Sequence, residues 1–312
     1  MTQITDTILM VRPVNFRKNE QTAVNNYFQE DLDLKNQEIN KQAQYEFDQF
    51  VNKLRDVGID VIVVDDRIET DTPDSIFPNN WMSNHANGNV VLYPMFAVNR
   101  RRERREDVFD IMEEHGFIIE NVIDYTSAEE AELYLEGTGS LIMDRKFDKV
   151  YCALSARADE ELVIEFCEDF ECSPVIFVAN QTVGGKRLPI YHTNVMMCLG
   201  EAFCVICLDT IDDKKERKNV VSHLKQDGKE IIEISEAQMH QFAGNMLQLV
   251  NKDNKRYIVM SESAYKSLTD SQIARLQKHG EILYSNLDTI ETCGGGSARC
   301  MMAEVFLPKA EN

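Results

Sequence analysis

Short apolar runs alternate with longer polar stretches along this chain, and the ordering is not one strand to one helix. That ordering is the strongest limit on the fold. Runs rich in Val and Ile and bounded by Asp, Asn or Gly predict strands. They fall at Ile8–Arg12, Val61–Val64, Val90–Tyr93, Phe117–Val122, Leu141–Met143, Val150–Ala153 and Val175–Val178. The second half adds Val195–Leu199, Phe203–Leu208, Glu230–Ile234, Met246–Val250, Tyr257–Met260, Ile282–Tyr284 and Met301–Leu307. Helical spacing predicts Asp33–Val57, with Phe47, Val51 and Leu54 on one face and Gly58 after it as a cap. Further helices are expected at Arg101–His115, Asp159–Phe170, Asp213–Lys225, Glu236–Phe242 and Glu262–Lys278. This amounts to one helix and about three strands per ~60 residues, a poor fit to a simple doubly wound sheet. No Pro/Gly/Ser-rich linker divides the chain, so one α/β domain over residues 1–312 is expected.

The net charge of −20 excludes several partners. Phosphate backbones and anionic membranes both need a basic surface, so neither nucleic acid nor membrane binding is expected. The apolar run Ile8–Val11 is too short for a signal peptide, and no basic segment precedes it. Eight cysteines without an export signal point to reduced thiols and a cytoplasmic setting. Cys204 and Cys207 are three apart in a predicted strand and so face opposite sides; with no second pair at zinc spacing, no metal site is expected. No phosphate-cradling loop or dinucleotide fingerprint occurs, so no cofactor is expected. A homo-oligomer is compatible with the sequence.

Four segments carry polar groups suited to chemistry. The run Glu291-Thr-Cys-Gly-Gly-Gly-Ser-Ala-Arg-Cys300 sets Cys300 after three glycines and before an apolar strand. Adjacent glycines belong where backbone needs unusual angles or must pass close to a ligand. A cysteine beside them is either a candidate nucleophile or a small buried hydrophobe. Asp74-Ser-Ile-Phe77-Pro-Asn-Asn80-Trp81 holds the only tryptophan, and Phe77, Pro78 and Trp81 can wall a pocket in which Asn79 and Asn80 bind a planar group. The same residues also suit an ordinary turn. Glu136-Gly-Thr-Gly139 places one acid at an apolar boundary with glycines for close approach. His192-Thr-Asn194 lies at the start of a predicted strand, where the two would share a face. Histidine is the natural acid–base partner of a thiolate.

In this order and spacing, the four segments resemble the guanidino-group-modifying superfamily of arginine deiminases, dimethylarginine hydrolases and amidinotransferases. In character they are most similar to its arginine-deiminase-related citrulline utilization hydrolases. The resemblance implies a five-bladed, pseudo-fivefold α/β propeller of ββαβ modules with its site in the central channel. It implies Cys300 as nucleophile, His192 as general acid/base and Glu136 as a binder of substrate nitrogens, with Asp74, Phe77, Asn80 and Asn194 around the substrate. A substrate carboxylate needs a cation, and Arg299, Arg187 and Arg145 all adjoin the motifs; Arg299 is nearest the nucleophile.

The chain departs from the family pattern in one direction. Asn80 and Asn194 stand where many relatives have Asp, and Glu-Gly-Gly-Asp becomes Glu136-Gly-Thr-Gly139. A guanidinium offers only donors and calls for carboxylates, whereas a neutral ureido group also offers an acceptor oxygen that an amide can meet. The expected substrate is therefore a ureido amino acid, most simply citrulline, hydrolysed to ornithine, carbon dioxide and ammonia through a carbamoyl thioester on Cys300. The alternatives are an arginine deiminase, an amidinotransferase, and a non-catalytic amino-acid-binding protein of the same fold.

Overall fold

A computed structural model describes residues 2–310. Strand β1 (Thr7–Arg12) runs parallel to β2 (Asp60–Asp65), with Ile8 opposite Val61. Parallel neighbours need a long crossover, and α1 (Asn36–Asp56) supplies it. Ile39, Ala43, Phe47, Phe50, Val51 and Leu54 recur at helical spacing and are buried, so this face packs inward; of the charged residues between them Glu46 is also buried, where it accepts the Thr289 and Ile290 N–H groups.

The next three-stranded unit is β3 (Met82–Asn84) antiparallel to β4 (Asn89–Leu92), then α2 (Asp107–Glu114), then β5 (Asn121–Asp124) parallel to β4. The short helix α3 (Gly137–Ser140) leads into the third unit: β6 (Ile142–Asp144), β7 (Lys149–Leu154), α4 (Glu160–Asp169) and β8 (Ser173–Val178). A hairpin of β9 (Asn180–Val183) and β10 (Lys186–Pro189) intervenes. The fourth unit is α5 (Thr193–Met196), β11 (Met197–Leu199), β12 (Phe203–Ile206), α6 (Lys214–Gln226) and β13 (Glu230–Glu233). The fifth begins with α7 (Glu236–Met239) and continues through β14 (Leu247–Val250), β15 (Arg256–Ser261), α8 (Glu262–Ser267), α9 (Asp270–Leu276) and β16 (Glu281–Ser285). After α10 (Asp288–Gly294), β17 (Ala303–Glu304) returns to β1, pairing Glu304 with Ile8.

The described residues thus form five three-stranded mixed sheets of one pattern, each an antiparallel pair joined through a helix to a parallel third strand. This is why strands outnumber helices in the sequence. In the first sheet, β17 supplies the antiparallel partner that the other sheets take from just upstream.

Several boundaries differ from expectation for local reasons. The expected strand Val195–Leu199 begins as a helical turn and becomes extended only at Met197. His192 caps that turn, so the same-face-of-a-strand argument for His192 and Asn194 does not apply. Of Met301–Leu307 only Ala303–Glu304 pairs, and Cys300 sits in a 3₁₀ turn, Ala298–Met301. The expected helix Arg101–His115 starts at Asp107, because Val98–Glu103 forms a 3₁₀ segment first. Glu262–Lys278 divides at Leu268, where Thr269 and Gln272 form a capping box. The Phe117–Val122 strand begins at Asn121, with Phe117 bridged to Lys309. Cys204 and Cys207 are buried thiols, as packing required. Among the described residues no helix is long and apolar enough to cross a membrane.

Candidate active site

Each sheet's first strand is preceded by a short turn, and polar side chains on these turns meet. Asn80 ends the 3₁₀ turn before β3, Glu136 caps α3 before β6, and His192 caps α5 before β11. Asn245 follows the turn at Phe242 before β14, and Cys300 lies in the turn before β17. All five are buried.

The sulfur of Cys300 receives two amide donors, Asn245 Nδ2 at 3.2 Å and Asn194 Nδ2 at 3.4 Å. The Asn245 amide is oriented by its Oδ1, which accepts Arg299 N–H at 3.0 Å. Burial pushes the Cys300 thiol up; the Ser297 backbone contact, these amides and the charge of Arg299 pull it back only in part.

His192 Nε2 donates to Glu136 Oε2 at 2.8 Å, because a carboxylate can only accept there. Glu136 Oε1 takes the Phe96 N–H at 3.0 Å, and its Oε2 lies 3.5 Å from Arg157 Nη1 and 3.7 Å from Arg100 Nη1. Burial opposes its charge, yet Arg157, His192 and Arg100 together hold its pKa at about 2. Burial lowers His192 to about 4 despite the pull of Glu136. The resting site therefore pairs a neutral imidazole with an ionised carboxylate near neutral pH. Both oxygens of Glu136 accept protein donors, and Oε2 holds the ring of His192.

The other imidazole nitrogen, Nδ1, faces Gly139. A Cβ on Gly139 would lie 2.8 Å from it and 2.5 Å from Asn80 Nδ2, so glycine keeps open the space that these two groups border. Asn80 Oδ1 accepts Arg100 Nη1 at 2.8 Å, which fixes the amide's orientation and leaves its Nδ2 buried without a partner. Asp74 Oδ2 accepts Asn19 at 2.8 Å and Thr22 at 3.1 Å, while its Oδ1 is buried and unpartnered. Burial raises the Asp74 carboxyl, with Arg100 opposing. The ring of Phe77 packs against Gly294 and Gly296 of the cysteine loop.

Arg299 is not presented to this group. Its guanidinium donates to Met302 O and to Glu304 Oε2, both at 2.8 Å, and lines a different cavity. Arg187 is on the β9–β10 hairpin with Asp212 and Glu236. The cations that do adjoin the group are Arg100 and Arg157, both 2% exposed. Neither was singled out in the sequence. Arg100 lies in a charge run that reads as a solvated helix start; the one available hint is Glu103 three residues on, which takes Arg100 Nε and Nη2 at 2.9 Å. Asn245 carried no motif at all. Nor did the segment 13–35, which lies over the group: Asn25 Oδ1 accepts Arg157 Nε at 2.9 Å, and Asn26 and Gln29 bond the Gly294 carbonyl.

A buried cysteine, histidine and glutamate on three of the five sheet-leading turns is the arrangement expected of the guanidino-group-modifying hydrolases that the motifs resemble. The profile of the family described as N,N dimethylarginine dimethylhydrolase, eukaryotic, matches residues 12–307, and the chain belongs to that family. Its structure is similar to that of an arginine dihydrolase from the ornithine–ammonia cycle in Cyanobacteria, with a TM-score of 0.74 at 18% identity. That match covers 97% of this chain but only 41% of the cyanobacterial one. Against that enzyme's N-terminal domain, in a form covalently bound to a reaction intermediate, the TM-score is 0.70 at 18% identity, covering 97% and 99% of the two chains. A dimethylarginine dimethylaminohydrolase adduct with S-methyl-L-thiocitrulline gives 0.65 at 14% identity, covering 96% and 99%. No curated protein sequence matches the chain.

Proposed function

We propose that the chain is a single catalytic unit, a five-bladed α/β propeller, that hydrolyses citrulline to ornithine, carbon dioxide and ammonia through a covalent adduct on Cys300. The observation that carries the choice of substrate is the buried, unpartnered Nδ2 of Asn80. It is a donor and needs an acceptor. A ureido oxygen supplies one; a guanidinium, which has only N–H groups, does not.

In this reading the Cys300 proton passes to His192 Nδ1, and the imidazolium is stabilised by Glu136. The thiolate, held by the Asn194 and Asn245 amides, attacks the ureido carbon. His192 returns the proton to the departing δ-nitrogen, the C–N bond breaks, and ornithine leaves a carbamoyl thioester. Water, deprotonated by His192, then breaks the C–S bond and gives carbamate, which falls to carbon dioxide and ammonia. We assign the substrate α-carboxylate to Arg157 in exchange for Asn25, in place of Arg299, since an Arg fork suits a carboxylate.

A guanidinium substrate is the second reading. The unpartnered Oδ1 of Asp74 favours it, because that oxygen would accept an N–H. The relatives named for arginine and dimethylarginine point the same way. The deciding experiment incubates purified protein with citrulline, arginine and dimethylarginine separately and quantifies ornithine, citrulline, dimethylamine and ammonia. Ornithine from citrulline supports the proposal. Citrulline formed from either guanidino substrate, with citrulline itself untouched, replaces it by the second reading. No product from any of the three favours a binding protein.

A further inference from the structure

His192 and Cys300 come from different sheet-leading turns, and among the described residues no hydrogen bond joins their side chains. Proton transfer between them needs a fixed reach. The backbone beside Cys300 is poorly suited to fixing it. Gly294, Gly295 and Gly296 have no side chains to hold the loop, and Gly295 is in the left-handed region at φ +61°. Cys300 nonetheless rests on this loop: a Cβ built on Gly296 would lie 3.4 Å from that of Cys300.

Tyr191 supplies the anchor. Its phenol donates to the Gly295 carbonyl. Burial, with Cys300 nearby, raises the phenol well above its ordinary pKa, so it remains a donor at neutral pH. The Tyr191 carbonyl accepts Ser155 Oγ at 2.8 Å, which holds the backbone independently of the phenol. The ring lies 4.7 Å from the His192 ring, 4.9 Å from the Arg157 guanidinium and edge-on to Phe28 at 6.0 Å. Asn194, two residues past His192, meets Cys300 Sγ itself at 3.4 Å. One turn thus grips the cysteine and its loop at two points, and His192 lies between them in sequence. Asn26 Nδ2 also reaches the Gly295 carbonyl, at 3.3 Å, but from the segment 13–35 and not from the histidine's turn.

We infer that Tyr191 is a positioning residue, whose bond to Gly295 sets the reach between His192 and the sulfur of Cys300. This role rests on the reading of those two as acid/base and nucleophile, whichever substrate is used.

Tyr191→Phe removes the phenol and keeps the ring against Arg157 and Phe28. Wild type and variant are compared by hydrogen–deuterium exchange of peptides covering 294–300, and by kcat and KM for the substrate that turns over, with Cys300→Ala alongside. The expected result is exchange about fivefold faster in the loop, the worth of one hydrogen bond, with exchange elsewhere unchanged. kcat should fall about tenfold or more while KM stays within about twofold. Unchanged loop exchange overturns the inference, as does faster exchange with kcat unchanged. A loss carried by KM alone also overturns it, because the phenol would then serve substrate binding. Turnover surviving in Cys300→Ala overturns the mechanism itself, and the positioning role with it, even where the loop exchanges faster. Asn26→Ala removes the other donor to the same carbonyl and leaves the histidine's turn attached. It should cost kcat less than Tyr191→Phe does; an equal or larger loss, with Tyr191 in place, overturns the inference.

Discussion

One methyl group at Gly139 should separate activity from stability. Its Cβ would stand 2.5 Å from Asn80 Nδ2 and 2.8 Å from His192 Nδ1, where ordinary contact begins at 3.4 Å. The amide has to retreat by roughly 0.9 Å and the imidazole by roughly 0.6 Å, and displacement on that scale costs on the order of 100-fold in rate. That is about 2.7 kcal/mol of barrier. The backbone at Gly139 is not in the left-handed region, so the stability cost is only that of overpacking, about 1–3 kcal/mol. Gly116→Ala is the mirror control. Nothing lies within 4 Å of its Cβ position, but its φ of +82° strains an L-residue, so it should lose about 1–2 kcal/mol of stability and no activity. The assay is kcat/KM for ornithine release from citrulline on protein shown to be folded by far-UV circular dichroism, with Tm alongside. Full activity in Gly139→Ala would refute the view that Asn80 and His192 border the reacting group. An equal activity loss in Gly116→Ala would assign the effect to folding.

Three further outcomes are expected. Cys300→Ala should abolish turnover while leaving Tm within a few degrees, since burial of a small side chain is retained; an active variant would remove the covalent mechanism. Asn80→Asp exchanges the unpartnered donor for an acceptor while keeping the bond to Arg100, so kcat/KM for citrulline should fall on the order of 100-fold and arginine should gain relative to it. Unchanged preference in a competition assay would count against the ureido reading. Glu291 accepts Ser297 Oγ and Ser263 Oγ, each at 2.5 Å, and burial raises its carboxyl to about 7 from an ordinary 4.5, with these hydroxyls opposing. Its neutral form is the one the fold prefers. Its stability contribution is therefore complete below 4.5 and is lost as pH rises through about 7, a change of roughly 3 kcal/mol. Glu291→Gln should flatten this part of the Tm–pH curve, and an identical slope in the variant would show that another group titrates there.

Much of the framework is written locally. Val- and Ile-rich runs such as Val61–Val64 and Phe203–Ile206 are strands because both faces of such runs are largely buried, though the expected strand Phe203–Leu208 gives way to a 3₁₀ turn at Leu208, and α1 is legible from one apolar stripe. Cys300, His192, Glu136 and Asn80 could be found because glycines or turn formers mark the places where chain and ligand come close. Arg100, Arg157 and Asn245 could not be found that way. A buried arginine among more exposed ones has the same local composition as its neighbours, and beyond Glu103 three residues on, only Asn80 and Asp74 arriving from another segment set it apart. Asn245 matters through a sulfur 55 residues away in sequence. The segment 13–35 is held by long-range side-chain bonds to Asp74, Arg157 and Gly294, for which no periodicity exists. The turn at His192–Met196 was misread because Val195, Met196 and Met197 look alike whether they lead a strand or a helical turn.

The pairing of Glu304 with Ile8 joins positions about 300 residues apart, and such contacts form late because loop closure precedes any reward. Cys300 lies just upstream of that seam, and its amide partners come from two other sheets. A chain with four sheets built and the first unsealed therefore carries an ordinary thiol, with no donors around the sulfur. In the proposed mechanism, the amides that hold the Cys300 thiolate are thus in place only once that seam is sealed.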